Sequence, residues 1–307
     1  MAASRSNKKG VGCRVPGVGL AAVLVLLFFL IPGTRNPASA FPQQASLTGK
    51  YALTGKFSTA SSSANILFSD NFESDDTDLV PTWDYSNSSS IDLNTDANYV
   101  HGGSKSGRFH YVLAAGDPAS QDSNRWVSKV FTSPTHDDVH VGGWVYFKTP
   151  EVGQDSYAVQ RKLMWFCDAT GANQNSWTWE TVLTTWTGYG GTSYTDRLYP
   201  TIVQSNAANC GGSGDTWYLS DYFSWNAWHF IEFEVKLNTP STHDGTIRLW
   251  VDGSLWYENT SAYPRGTCSS NMTFFSIGRQ TNRTHSEAID EYRYWDDVTI
   301  ADGYIGP

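Results

Sequence analysis

Two runs of strict apolar/polar alternation around a turn-rich break occupy Trp225 to Glu258, WNAWHFIEFEVKLNTPSTHDGTIRLWVDGSLWYE. In the first run Ile231, Phe233, Val235 and Leu237 share one parity, and Phe230, Glu232, Glu234 and Lys236 the other. In the second, Ile247, Leu249 and Val251 alternate with Thr246, Arg248 and Trp250. A period of two places successive side chains on opposite faces, so each run is a half-buried strand. Asn238, Pro240, Ser241, Asp244 and Gly245 supply loop chemistry, and Asp252-Gly253 predicts a tight turn into a third strand. An antiparallel meander follows, with tryptophan on its polar face.

The run WHFIEFEVKLNTPSTHDGTIRLWVDG resembles the hairpin of concanavalin A-like jelly rolls, and within them polysaccharide-lyase-like proteins of the glucuronan and alginate lyase type. FSDNFES near residue 70 is similar to the opening strand of that group, and EYRYWDDVTIADGYIGP to its closing strand. The resemblance spans roughly residues 66–307 and implies an all-β fold, a two-sheet antiparallel jelly-roll sandwich. Lyases and binding modules share that scaffold, so the reaction has to be argued from the site.

Composition agrees with the fold. Only 17% of residues are charged and 14% are aromatic, and short apolar runs are separated by Gly, Ser, Asn and Asp clusters. A net charge of −9 with no basic stripe excludes a nucleic-acid partner. Aromatic rings that stack on sugars, together with scattered cations, point to polysaccharide, neutral or anionic, as the partner of a monomer.

Residues 1–40 read as a signal peptide. Arg5, Lys8, Lys9 and Arg14 precede an apolar run from Val18 to Ile31, and Ala38-Ser39-Ala40 offers a cleavage site. Left uncleaved, the segment is a signal anchor, the one route to a membrane. Either way the protein is secreted, periplasmic or held at the cell surface. Residues 41–64 form a flexible linker, with the near-repeat LTGKYALTGKF followed by STASSSAN. Export favours a disulfide, and Cys167 with Cys210, each in a Gly/Asn/Asp-rich setting, is the first choice among Cys167, Cys210 and Cys268.

β-Elimination from a uronate needs a cation or amide to neutralise the carboxylate, a base for the C5 proton and an acid for the leaving oxygen. The candidates are Arg161, Lys162, Arg197 and Arg293 as neutralisers, and Tyr199, Tyr292, Tyr294, His110 and His229 as proton carriers. Period-two reading puts Arg161, Leu163 and Trp165 on one face and Gln160, Lys162 and Met164 on the other. Trp144, Trp165, Trp179, Glu180, Arg197 and Arg293 are the expected substrate-binding set. The Gln-x-His strand motif of several jelly-roll lyases is absent, and QRKLMW stands in its place. His229 shares parity with core residues, which fits a satisfied buried histidine.

Other readings stay open. A carbohydrate-binding module needs only the aromatic face. A glycoside hydrolase needs two carboxylates, and Glu232 and Glu234 lie about 6–7 Å apart on one strand face. Lys236 and Arg248 offer that pair salt bridges instead, and the E-x-D-x-x-E motif of jelly-roll glucanases is missing. A surface adhesin is a further class. Glu73, Asp296 and Asp297 resemble the paired acids that hold a structural Ca²⁺ in sugar-binding jelly rolls, with bonds to loop amides as the alternative. Asn-x-Ser/Thr sequons stand at Asn87, Asn259, Asn271 and Asn282.

Overall fold

The computed structural model describes residues 64–74, 83–86, 91–116, 122–131, 136–149, 159–169, 177–187, 197–283 and 288–307. The targeting segment, the linker up to residue 63, and the sequon at Asn87 lie outside the described residues. Among the described residues the chain is strand and loop, with two single-turn 3-10 helices at Ala97–Tyr99 and Ala208–Cys210. No described helix is long and apolar enough to cross a membrane.

Two antiparallel sheets form the sandwich. Sheet A runs β15 (Ser254–Ala262), β14 (Gly245–Val251), β13 (Trp228–Lys236), β7 (Asp138–Phe147), β17 (Ile289–Ala301), β4 (Ser106–Leu113) and β3 (Ile91–Asn94), with β1 (Ile66–Asp70) also on β17. Sheet B runs β11 (Gly214–Tyr218), β10 (Arg197–Asn206), β9 (Trp179–Thr187), β8 (Val159–Cys167), β16 (Phe274–Arg283), β6 (Val127–Val130) and β2 (Tyr85–Ser86). Two short strands complete it, β12 (Phe223–Ser224) on β10 and β5 (Asp122–Asn124) on β16. The opening and closing strands are neighbours, as the resemblance implies.

The alternating hairpin sets sheet A. Ile231 faces Val251, Phe233 faces Leu249 and Val235 faces Ile247, and all six are buried. Asp252 and Gly253 take positive φ (50° and 77°), the two-residue turn that matches strand twist. From sheet B, Leu163, Phe166, Leu183, Ile202, Phe275 and Ile277 join the same core. Each such side chain contributes about 1.5–3 kcal/mol on burial.

Register defects in three of the strands bear on the site. Between Lys162 and Met164 of β8 one residue is inserted, so Met164 turns inward with Leu163 and Phe166, and Trp165 turns outward with Lys162. That corrects the period-two reading, which grouped Trp165 with Arg161. Opposite it, β16 carries Gly278 and Arg279 between the residues that pair with Met164 and Lys162. In β17 the shift at Asp296-Asp297, with Asp297 at φ 48°, sends Val298 and Ile300 into the core beside Trp295.

The disulfide joins Cys210 to Cys268, with Cα atoms 5.0 Å apart. Cys167 is a buried free thiol, which corrects the expected Cys167–Cys210 pair. Its Gly/Asn/Asp-rich neighbours read as a loop, whereas Cys167 is the last residue of β8. The loop at Cys210 instead meets the one at Cys268, where the Thr267 N–H donates to the Cys210 carbonyl (3.0 Å).

Candidate functional site

The outward face of sheet B can be written as rows of facing residues. One row is Gln160, Trp186 and Tyr199. The next is Gln280, Lys162, Thr184, Thr201 and Tyr218. A third is Ser276, Trp165, Val182 and Val203, and a fourth is Phe274, Cys167, Glu180 and Ser205. Lys162 and Tyr199 are therefore two strands and one row apart. Strand spacing and rise put their Cα atoms about 12 Å apart, a span their two long side chains can close around one sugar ring.

Half of this face is a closed aromatic cluster, with Trp126, Trp165 and Phe274 only 6%, 3% and 1% exposed, which removes Trp165 as a substrate contact. Trp126, Trp165, Val182, Cys167 and Phe274 pack as a cluster separate from the main core. The Arg279 guanidinium lies 3.7 Å above the Trp165 ring and 5.2 Å from Trp126. Trp165 is locked in plane because its indole N–H donates to Glu180 Oε2 (2.8 Å), while Ser205 Oγ donates to Glu180 Oε1 (2.9 Å). Glu180 thus orients the cluster. The other half is polar. Thr184 is buried between Lys162 and Thr201, and its hydroxyl meets no hydrogen-bond partner among the described residues. Arg197 stacks over Tyr222 (4.5 Å), which also approaches Tyr199 (6.0 Å between rings).

Of the residues expected to act together, Lys162, Tyr199, Trp165, Glu180 and Arg197 lie on this sheet. The others do not reach it. Arg161, Arg293 and Trp179 point inward and are buried at 0%, 1% and 0% exposure, which removes them as substrate contacts. Arg161 Nε donates to Glu291 Oε2 (2.7 Å), and Arg293 Nη2 donates to Glu291 Oε1 (3.2 Å). The correction has a simple cause: the strand faces are fixed by the sandwich, and Arg161 and Arg293 fall on the core parity with Glu291 between them.

Trp144, His110 and Tyr294 lie on the outward face of sheet A, so they join no site with Lys162. Trp144 is stacked under His101 (3.7 Å). His110 Nε2 is 2.8 Å from Asp290 Oδ1, and its ring stacks on Tyr292 (4.2 Å). Tyr294 stacks on Tyr99 (4.5 Å), and burial, with Tyr99 beside it, pushes its phenol well above the usual tyrosine range. His229 is satisfied, as its parity predicts, between Ser224 and Asp252 (3.0 and 2.9 Å).

The acidic residues are held by neighbours. Glu73 Oε1 accepts the N–H groups of Ser104 and Lys105 (both 2.7 Å). Asp296 Oδ2 accepts from His101 and Gly102 (3.0 and 3.1 Å) and Oδ1 from Asp297 (2.9 Å). Burial nonetheless pushes the Asp296 carboxyl up to about 7. Asp297 lies 3.6 Å from the His101 ring. Loop amides thus orient Glu73 and Asp296. The glycosidase pair is occupied as well, Glu234 by the expected Arg248 and Glu232 by partners the sequence did not offer. Glu234 pairs with Arg248 (3.0 Å), but Glu232 accepts from the Ile305 and Gly306 N–H groups (both 2.9 Å) and meets His140 (2.8 Å). Lys236 turns to Asp138 (3.3 Å).

Gln280, Arg279 and Thr184 belong to the face but were not singled out from the sequence. One signal was available for the first two: Gly278 inside a strand marks a bulge, and a bulge re-aims the residues after it.

No protein-family model matches the chain, and no curated protein does. Among solved structures the chain is similar to the endo-β-1,4-glucuronan lyase of the fungus Trichoderma reesei, with a TM-score of 0.55 and 16% identity over 78% of this chain and 96% of that one. It is also similar to an alginate lyase from Chlorella virus, with a TM-score of 0.52 and 13% identity over 77% of this chain and 99% of that one. At these identities the shared property is the two-sheet jelly-roll fold.

Proposed function

We propose that this protein is a polysaccharide lyase that cleaves a uronic-acid-containing chain by β-elimination on the outward face of sheet B. The observation that carries the reading is the gathering of Gln160, Lys162 and Gln280 on adjacent strands, with Tyr199 diagonal to Lys162. The Lys162 ammonium and the two amides neutralise the uronate carboxylate, which acidifies the C5 proton. Deprotonated Tyr199 takes that proton. The C5 electron pair forms the C4–C5 double bond as the C4–O bond breaks, and Tyr199 returns the proton to the leaving oxygen. Trp186 and Tyr199, part-exposed and facing one another in the first row, offer rings to the neighbouring sugars. Export, as the N-terminal segment predicts, would bring the protein to such polymers, and the Cys210–Cys268 bridge suits that compartment.

The part-exposed rings of Trp186 and Tyr199 also favour a second reading, a module that binds polysaccharide without cleaving it. One assay separates the two. Purified protein is mixed with glucuronan, alginate and other uronate polymers, and the ultraviolet absorbance of the conjugated unsaturated end is followed. Product formation lost in both Lys162→Met and Tyr199→Phe supports the lyase. Retention on the polymers with no absorbance change across the panel leaves the binding module.

A further inference from the structure

On the outward face of sheet A, remote in the fold from the row of Lys162, three side chains converge. Asp138 and His140 of β7 and Glu234 of β13 each offer one ligand atom, and these atoms lie within 4.8 Å of one another. The strands place them there directly, because His140 faces Glu234 in the ladder and Asp138 follows on the same parity.

The histidine is the informative member. It is buried, at 7% exposure, and its Nδ1 lies 2.8 Å from Glu232 Oε1. Glu232 is itself pinned by the N–H groups of Ile305 and Gly306, so its orientation is set by the C-terminal segment. A carboxylate on Nδ1 fixes the proton there and leaves the Nε2 lone pair free. Nε2 points to Glu234 Oε2 at 3.8 Å, beyond hydrogen-bond range. Asp138 Oδ1 is buried and also lacks a hydrogen-bond partner. The imidazole and the two carboxylates thus lie close enough to share one ion, for which Glu234 would exchange its bonds from Arg248 Nη1 (3.1 and 3.0 Å). Arg248 and Lys236 are the cations present, against the carboxylates of Asp138, Glu232, Glu234 and Glu258, so the patch favours added positive charge.

We propose that Asp138, His140 and Glu234 bind a divalent transition-metal ion of the zinc class, with Glu232 as the carboxylate that orients the histidine. One imidazole nitrogen and two carboxylate oxygens suit zinc or copper and disfavour calcium, which takes oxygen ligands. Tetrahedral bonds of about 2.0–2.1 Å bring ligand atoms to about 3.4 Å apart, so atoms within 4.8 Å of one another close by up to about 1.4 Å on binding.

The test is calorimetric titration of the chelator-treated full chain with Zn²⁺, Cu²⁺ and Ca²⁺. The expected result is one equivalent of Zn²⁺ or Cu²⁺ bound, with no saturable Ca²⁺ heat abolished by these substitutions. Asp138→Asn and His140→Gln each weaken the transition metal at least tenfold, and Glu232→Gln weakens it by about 10–100-fold. Asp138 is half-exposed near the start of its strand, so Asp138→Asn decides the matter if His140→Gln misfolds. Absence of one-to-one binding, or undiminished binding in Asp138→Asn, overturns the proposal.

Discussion

Replacing Glu291 with Gln should destabilise the protein more than any change on the outward face of sheet B. Glu291 sits in the core at 1% exposure between Arg161 and Arg293, themselves at 0% and 1%. Thr281 Oγ1 donates to Glu291 Oε1 (2.7 Å), Arg161 Nη1 donates to the Val159 carbonyl (3.1 Å), and Arg293 stacks on Tyr111 (3.6 Å). The group is two cations around one anion, with no second carboxylate among the bonds that hold it. An amide in place of the carboxylate keeps the shape but leaves both guanidiniums without a counter-charge. Losing one partner of a buried pair costs about 3–5 kcal/mol, and in a domain of this size each kcal/mol lowers Tm by about 2–4 °C. The expected loss at neutral pH is therefore about 6–20 °C, read by thermal and urea unfolding with an unchanged m-value. The pH dependence adds a check. Burial would raise the Glu291 carboxyl, but the two guanidiniums and Thr281 together hold it below the usual carboxylate range. A carboxyl depressed in the folded state stabilises above its unfolded value of about 4.3 and loses that contribution as pH falls through the folded value. The gap between wild type and Glu291→Gln should accordingly narrow below about pH 4. A Tm change under about 2 °C at neutral pH would refute the view that Arg161 and Arg293 are there for the core.

Lys162→Met and Tyr199→Phe should each lower turnover at least about 100-fold with Tm nearly unchanged, whereas His110→Ala and Tyr294→Phe leave turnover within about twofold, all read by unsaturated-product absorbance. Cys210→Ser should cost about 2–4 kcal/mol in urea unfolding. Cys167 should stay inert to a thiol reagent in the native protein, since it is buried and burial raises its thiol far above the usual range. Gly278→Ala should destabilise by about 1–3 kcal/mol, because Gly278 has φ 76° and an added Cβ would lie 2.4 Å from the Phe109 ring.

Strand faces were legible wherever the period ran unbroken. Ile231, Phe233 and Val235 lie in the core, and His140, Trp144 and Tyr146 lie outside, as alternation predicts. The reading failed at inserted residues. A single extra residue in β8 moved Trp165 to the other face, and the shift at Asp296-Asp297 moved Val298 and Ile300 inward. Alternation also says nothing about which sheet a strand joins. Tyr294 and Lys162 both read as outward residues of plausible chemistry, yet one lies on sheet A and the other on sheet B. Sheet membership is decided by pairings between strands far apart in sequence, such as β13 with β7, and no local pattern records it. The interior guanidiniums were misread for a related reason. Charge in a sequence predicts exposure, and only the three-dimensional meeting of Arg161, Glu291 and Arg293 makes their burial affordable.

The paired defects in β8 and β16 explain why the candidate site lies where it does. In an unbroken ladder Trp165 would share the face of Arg161 and lie in the core, and the outward face beyond Lys162 would lose its ring. The extra residue in β8 turns Trp165 out two rungs from Lys162, and the Gly278-Arg279 insertion lays the Arg279 guanidinium on it. Gly278 is the residue that permits this, since its positive φ and its approach to Phe109 suit no side chain. One local irregularity thus packs the aromatic cluster and Arg279 beside the row of Lys162 and shapes the face that Lys162 shares with Tyr199. If that is the role of the bulge, Gly278→Ala should weaken polymer binding beyond what its loss of stability explains, measured well below its Tm by gel retardation. Binding that tracks only the folded fraction would reduce the bulge to a feature of packing.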